Sequence, residues 1–209
     1  MSSTLLKFGL PAMGAVGSAG IGYGVYSHTS KQNRTLRDLV EGVSLISDSR
    51  SKNWETIFED LKNSDEDLVQ VLSSINPKIS KTSKNVEAAP ILNGWCEKTL
   101  NLKEGVANQS DLLSKIKKWC VVQPLTISDK LKDKNLSVIS SGWEDKYEKL
   151  KESIFDEIKS KGESFTSKDD KTKGGTALQK WCTESIGKGT HEEDASKLFT
   201  KVKDRCTGT

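Results

Sequence analysis

The chain of 209 residues has few of the residues that mark nucleic-acid-binding surfaces. It has only four arginines, which are scattered, and a formal net charge of +3 from 32 basic and 29 acidic side chains. Binding to nucleic acid requires basic residues clustered on one face, and arginine is the side chain that best pairs with phosphates and bases. We therefore expect no nucleic-acid partner.

The short motifs that carry catalysis or hold cofactors are also missing. The sequence contains no glycine-rich phosphate loop, no Gly-x-Ser-x-Gly, no Cys-x-x-Cys and only two histidines. These patterns mark phosphate sites, nucleophilic serines and metal sites. Acidic residues such as Glu144, Asp145 and Glu148 have the spacing of solvated helix faces. We expect a protein that is not an enzyme and has no cofactor and no metal.

Cysteine is scarce as well, but its spacing is regular. The dipeptides Trp95-Cys96 and Trp181-Cys182 are each followed by a second cysteine 24 positions later. These two pairs use all four cysteines: Cys96, Cys120, Cys182 and Cys206. An even number of regularly spaced cysteines is typical of disulfides in an oxidising compartment. A zinc site shared by the four, or buried free thiols, are the alternatives.

A longer repeat surrounds these cysteines. Residues 54–62 match residues 143–151 at an offset of 89, and the Trp-Cys elements match at an offset of 86. Apolar residues at i, i+3, i+4 and i+7 predict helices. We therefore predict an all-α fold of two tandem duplicated units, residues 53–128 and 129–209, with three helices in each.

Duplication selects one of the three cysteine pairings, because an ancestral unit had only its own two cysteines to join. We predict the disulfides Cys96–Cys120 and Cys182–Cys206. Each closes a loop of about 25 residues and is expected to stabilise its unit by roughly 3 kcal/mol.

Several local features are predicted from the helical pattern. Pro90 is expected to begin the second helix of the first unit, and Ser110-Asp111 to cap the third. Tryptophans on the apolar stripes are expected in the core beside the disulfides. Trp119 is the exception, because Arg205 occupies the corresponding position, and we expect it to be exposed.

The N-terminal residues 1–28 are expected to form a membrane anchor or a signal segment. Residues 8–26 are nineteen positions without a charge, rich in glycine and alanine, and about 20 apolar residues cross a bilayer. Tyr23 and Tyr26 lie where interfacial aromatic residues are found. We predict an uncleaved transmembrane helix over residues 5–27; a signal peptide cleaved after small residues is the alternative.

Two signals disagree about the side of the membrane. The basic residues Lys31, Arg34 and Arg37 after the span favour a cytoplasmic body under the positive-inside rule. The paired cysteines favour an extracellular body, and we give them more weight because their spacing is repeated. Residues 29–52 are polar and are expected to form a stalk that is partly helical.

A glycine- and alanine-rich N-terminal segment, followed by a body rich in lysine and serine with Trp-Cys elements, resembles the paralogous hypothetical proteins of haemotropic mycoplasmas. This family is uncharacterised and supplies no functional residues. The resemblance implies a membrane-anchored protein displayed at the cell surface and exposed to host immunity.

These observations favour a non-enzymatic, single-pass surface protein of the cell membrane, an antigen or host-contact protein. Its expected partners are the membrane, through the N-terminal helix, and a host-cell or immune protein. The alternative is an extracytoplasmic small-ligand binder or enzyme, with its site between the two units.

Overall fold

The computed structural model describes residues 34–208, which fold into eight α-helices. They are α1 (Asn53–Leu61), α2 (Glu66–Ile75), α3 (Asn85–Leu100), α4 (Gln109–Trp119), α5 (Ile127–Asp133), α6 (Trp143–Ile158), α7 (Lys171–Ile186) and α8 (Ala195–Cys206). Two short 3₁₀ helices span Leu36–Leu39 and Lys159–Lys161. Within residues 34–208, extended backbone pairs only as isolated bridges. The all-α prediction is confirmed.

Buried apolar side chains form two cores, one on each side of residue 125. The first core contains Leu36, Ile46, Trp54, Ile57, Phe58, Leu68, Leu72, Ile79, Ala88, Leu92, Cys96, Leu100, Ile116, Trp119 and Cys120. The second contains Ile127, Leu131, Tyr147, Ile154, Ile158, Phe165, Ala177, Leu178, Trp181, Cys182, Phe199, Val202 and Cys206. We call residues 34–124 the first unit and residues 125–208 the second unit.

Each core is crossed by one disulfide. Cys96 in α3 is bonded to Cys120 after α4, and Cys182 in α7 is bonded to Cys206 at the end of α8. Both pairs have Cα atoms 5.8 Å apart, and all four residues are at most 1% exposed. The predicted pairing is therefore confirmed, and no free cysteine remains among the described residues.

Backbone hydrogen bonds close the two units at corresponding places. In each unit the chain that precedes the first long helix pairs with the loop between the disulfide-bonded helices and then pairs beside the second cysteine. These bonds are Leu36 N to Leu102 O (2.9 Å), Ile127 N to Lys188 O (3.0 Å), Ile46 N to Cys120 O (3.0 Å) and Ile139 N to Cys206 O (2.9 Å). The four acceptors follow the 86-residue offset of the cysteines, so the repeat in the sequence is also a repeat in the fold.

The described part of the segment interpreted as a polar stalk, residues 29–52, packs on the first core instead. Leu36 and Ile46 are 0% and 3% exposed. The apolar side of this amphipathic segment covers α3 and α4, which would otherwise expose apolar surface to water. The boundary expected between residues 128 and 129 also shifts, because Ile127 belongs to the second core.

The stretch that forms one continuous helix in the second unit, α6, forms two helices in the first unit, α1 and α2. Asp65 is the N-cap of α2 and accepts a hydrogen bond of 3.2 Å from Leu68 N. At the corresponding position α6 has Ile154, which is buried and continues the helix. An aspartate at this position favours a new helix start because its carboxylate satisfies free N–H groups.

Two predicted helix starts are wrong. Pro90 lies inside α3, which begins at Asn85. Helix α4 begins one residue before Ser110-Asp111, after Asn108 in the left-handed conformation with φ of 59°. Asparagine tolerates this conformation better than most residues, and so it can turn the chain directly into the helix.

Helices α6 and α7 of the second unit pack closely because two glycines face α6. A Cβ atom at Gly174 would lie 2.1 Å from Cε1 of Tyr147, and one at Gly175 would lie 2.9 Å from Glu144 N. Tyr147 is fully buried, and its hydroxyl donates to Lys168 O at 2.8 Å. The absence of side chains on α7 therefore makes room for the tyrosine ring.

The predicted membrane helix, residues 5–27, lies outside the described residues. Among residues 34–208 no helix has both the length and the apolar character that a membrane span requires.

Candidate functional site

The two units meet through buried polar side chains. Glu59 on α1 is 1% exposed and lies 2.6 Å from Lys62 Nζ. The Glu59 carboxylate also accepts a hydrogen bond of 3.1 Å from Nδ2 of Asn85, which belongs to α3. Burial of a carboxylate is costly unless it is paired and hydrogen-bonded. Both conditions are met here by neighbours from the first unit.

The second unit covers this cluster with the loop that precedes α8. Glu193 accepts from the backbone N–H of Asn85 at 2.8 Å and lies 3.0 Å from Lys62 Nζ. Burial lowers the pKa of Lys62, but Glu59 and Glu193 outweigh it and hold that pKa above its usual value. Thr56 and Thr190 add a buried hydroxyl pair at 3.1 Å. These groups satisfy one another and join the units.

The corresponding pair of the second unit is at the surface. Glu148 lies 2.8 Å from Lys151, with side chains 45% and 19% exposed, and Lys151 also pairs with Asp169 at 3.1 Å. The same Glu-x-x-Lys spacing therefore forms a buried joint in one unit and a solvated ion pair in the other. What differs is the covering loop, which reaches only the first unit.

A polar cleft of about 350 Å³ lies in the second unit where α6 begins. Its lining residues are Gly142, Trp143, Glu144, Asp145, Thr172, Gly175, Thr176 and Gln179. Nε1 of Trp143 is buried without a hydrogen-bond partner among the described residues. Glu144 and Asp145 are the two carboxylates of the cleft. Asp145 already forms an ion pair of 2.7 Å with Lys171.

The first unit carries an apolar groove of about 570 Å³ between α2 and α3. Its lining residues are Val71, Ser74, Ile75, Pro90, Ile91, Gly94, Trp95, Lys98, Thr99, Leu102 and Leu112. Ile75 is 52% exposed, although a large aliphatic side chain is usually buried. The groove exists because α2 starts anew at its N-cap Asp65 and does not continue the line of α1 along α3.

Trp119 does not lie at the surface, contrary to the sequence prediction. It is 1% exposed, and its ring centroid is 4.9 Å from that of Trp95. In the second unit Arg205 lies 4.9 Å from the ring centroid of Trp181 and pairs with Glu157 at 2.9 Å. Both side chains cover the tryptophan before the first cysteine, one by ring contact and one by a cation–π contact.

The structure thus places the four predicted cysteines in the cores and reveals surfaces that sequence reasoning missed. The groove was missed because apolar residues at helical spacing are usually core residues. Among residues 34–208, no group of three or more histidine, cysteine and acidic side chains is placed to hold a metal ion. Comparison with protein-family models, curated proteins and solved structures gave no match.

Proposed function

We propose that this protein is a non-enzymatic contact protein, displayed on the outer face of a cell membrane and held there by an uncleaved helix of residues 5–27. The observation that carries the proposal is the pair of buried disulfides, one in each core. Disulfides form and persist in oxidising environments, whereas cytosolic thiols are kept reduced.

The N-terminal sequence supports the anchor. Residues 8–26 carry no charge, and about 20 such residues suffice to cross a bilayer. The resemblance to the paralogous hypothetical proteins of haemotropic mycoplasmas implies display at the cell surface and supports a host-cell or immune protein as the partner. In this proposal the two units form a rigid, disulfide-bonded body whose ion-paired surface meets the host.

Accessibility on intact cells tests the proposal. Cells that produce the full chain are treated with protease or with antibody raised against residues 34–208, before and after lysis. We expect cleavage and labelling before lysis, and a native N-terminus upstream of residue 5 by mass spectrometry. Protection until lysis contradicts surface display, and a mature N-terminus near Gly20 contradicts the anchor.

A further inference from the structure

We propose that the apolar groove of the first unit is the docking site for an amphipathic helix of a partner protein, about three turns long and carrying a carboxylate. The proposal rests on the contact function proposed above and deepens it, because it names the surface and the class of partner.

The exposed side of α3 along the groove is apolar or small where a surface helix is normally polar. One row of this helix, at intervals of four residues, consists of Val86, Pro90, Gly94 and Lys98. All four are exposed, and Val86 is 58% exposed. Together with Ile75 on α2, Val86, Pro90 and Gly94 form an open apolar face that ends at Lys98, which lies about 18 Å from Val86 along the helix, given the helical rise of 1.5 Å per residue.

Two residues of this row are unfavourable for the helix that contains them. Proline inside a helix removes one backbone hydrogen bond, and glycine there increases the entropy lost on folding. Pro90 and Gly94 nevertheless lie in the interior of α3. A Cβ atom at Gly94 would have no heavy atom within 4 Å, so packing inside the chain does not require the glycine.

A docked helix would explain why Pro90 and Gly94 lie in the interior of α3, which packing within the chain does not explain. A helix position without a side chain lets a second backbone approach closely, which is the usual role of small residues at helix contacts. Pro90 also leaves the carbonyl oxygen of Val86 without its helical donor. The two unfavourable residues thus lie where a partner helix gains contact.

The second unit serves as an internal control for this interpretation. At the 86-residue offset, the row on α7 is Thr172, Thr176, Lys180 and Glu184, and all four are exposed. This row is polar throughout, and Glu184 pairs with Lys161 at 2.5 Å. The same position in the same fold is therefore solvated in one unit and apolar in the other. The difference lies in the surface and not in the scaffold.

The charge of the groove identifies the occupant. Lys98 is the one charged residue among those that line it, and no ion pair engages Lys98 within residues 34–208. A carboxylate on the docked helix would pair with this ammonium at the end of an apolar contact. Residues 1–33 of the chain contain no aspartate or glutamate, so the chain's own N-terminal segment lacks the matching charge.

A selection experiment tests the proposal without knowing the natural partner. The probe is a displayed library of amphipathic helices of about three turns, with randomised apolar and charged positions. It is selected on the full-length protein in detergent. We expect enriched helices to carry an apolar stripe and an acidic residue near one end.

The enriched helices are then measured against matched variants. Gly94→Leu fills the groove and should weaken binding by about tenfold or more. Lys180→Leu, at the corresponding place in the second unit, should leave affinity unchanged. Lys98→Glu should reverse the preference from acidic to basic helices. Thermal unfolding of Gly94→Leu at or above the wild-type temperature shows that the loss is not a loss of folding.

The proposal is overturned if no helix distinguishes the wild type from Gly94→Leu. It is also overturned if a synthetic peptide of residues 8–26, anionic lipid vesicles or a second copy of the chain fills the groove in place of the acidic helices. Surface display is measured separately on intact cells. Helix binding without surface exposure would refute the location alone, and exposure without helix binding would refute the groove alone.

Discussion

The indole nitrogen of Trp119 donates a hydrogen bond of 2.9 Å to the carboxylate of Asp65, and both residues are at least nine-tenths buried. Asp65 also caps α2 and lies 2.7 Å from Lys118 Nζ. One carboxylate thus fixes the start of α2 and the end of α4. In the second unit Ile154 and Arg205 occupy the two positions, so the aspartate and the tryptophan are both particular to the first unit.

Replacing Trp119 by phenylalanine should therefore destabilise the protein by more than the loss of ring area. We expect an additional loss of about 1.5–3 kcal/mol, the range for a hydrogen bond to a charged group, because the Asp65 carboxylate loses one of its donors and keeps Lys118 and Leu68 N. Trp143→Phe is the matched control, since Nε1 of Trp143 has no partner among the described residues. Urea unfolding of both variants measures the difference. Equal losses in the two variants would show that the Trp119–Asp65 bond contributes nothing.

Asp65 should also contribute to the loss of folding stability in acid. Burial raises the pKa of this carboxyl, but hydrogen bonds from Lys118, Trp119 and Leu68 N outweigh it and lower the pKa below its ordinary value of 3.8. The stabilisation is therefore complete above the unfolded value and is lost as the pH falls through the folded value. Asp65→Asn should be less stable than the wild type at pH 7, and the gap should narrow below about pH 5. A gap that is constant with pH would contradict the assignment.

The helices, the repeat and the disulfide pairing could be predicted from the sequence, because each depends on the spacing of residues along the chain. The position of Trp119 was wrong because its environment depends on Asp65, which lies 54 positions away and has no counterpart in the second unit. Comparison of the repeats shows that Asp65 and Trp119 are replaced by Ile154 and Arg205, but it does not show that Asp65 and Trp119 are in contact.

The stalk and the groove were missed for a related reason. Residues 29–52 are rich in serine and basic residues, which favours a solvated segment, and Leu36 and Ile46 are buried because α3 and α4 present a face that needs covering. For the groove, the signal was available in the sequence. Val86, Pro90 and Gly94 align with Thr172, Thr176 and Lys180, so the two repeats differ in polarity at these three positions.

The buried polar contact between the two units, formed by Glu59, Lys62, Asn85 and Glu193, should be weakened by loss of Lys62. Lys62→Ala would leave Glu59, which is 1% exposed, without its cation, and such losses cost about 3–5 kcal/mol. Lys151→Ala is the control, because Glu148 is 45% exposed and exposed pairs contribute about 0–1 kcal/mol. Chemical unfolding and the exchange of amide hydrogens in the loop before α8 measure the effect. Similar losses in both variants would contradict the structural role of the joint.

Each disulfide should stabilise its own unit. Cys96→Ala with Cys120→Ala should lower the free energy of unfolding by about 3 kcal/mol, the chain-entropy value for a loop of about 25 residues. Cys182→Ala with Cys206→Ala should lower it by a similar amount, since both pairs have a sequence separation of 24. Non-reducing peptide mapping of the wild type checks the pairing first. A peptide linking Cys96 to Cys182 would contradict the two-unit arrangement.

The two interior glycines of corresponding helices should respond in opposite directions to the same substitution. A Cβ atom at Gly174 would lie 2.1 Å from the Tyr147 ring, and this ring is fully buried and held by its hydrogen bond to Lys168 O. Gly174→Ala should therefore destabilise the protein by about 1–3 kcal/mol or more, the range for overpacked cores. Gly94→Ala meets no atom within 4 Å and should stabilise it by up to about 1 kcal/mol, because alanine favours the helix. Thermal unfolding of the two variants checks both signs, and Gly174→Ala combined with Tyr147→Phe tests the cause. The ring atoms nearest to the added methyl remain in phenylalanine, so the double variant should recover little. Unchanged stability of Gly174→Ala would contradict the ring contact.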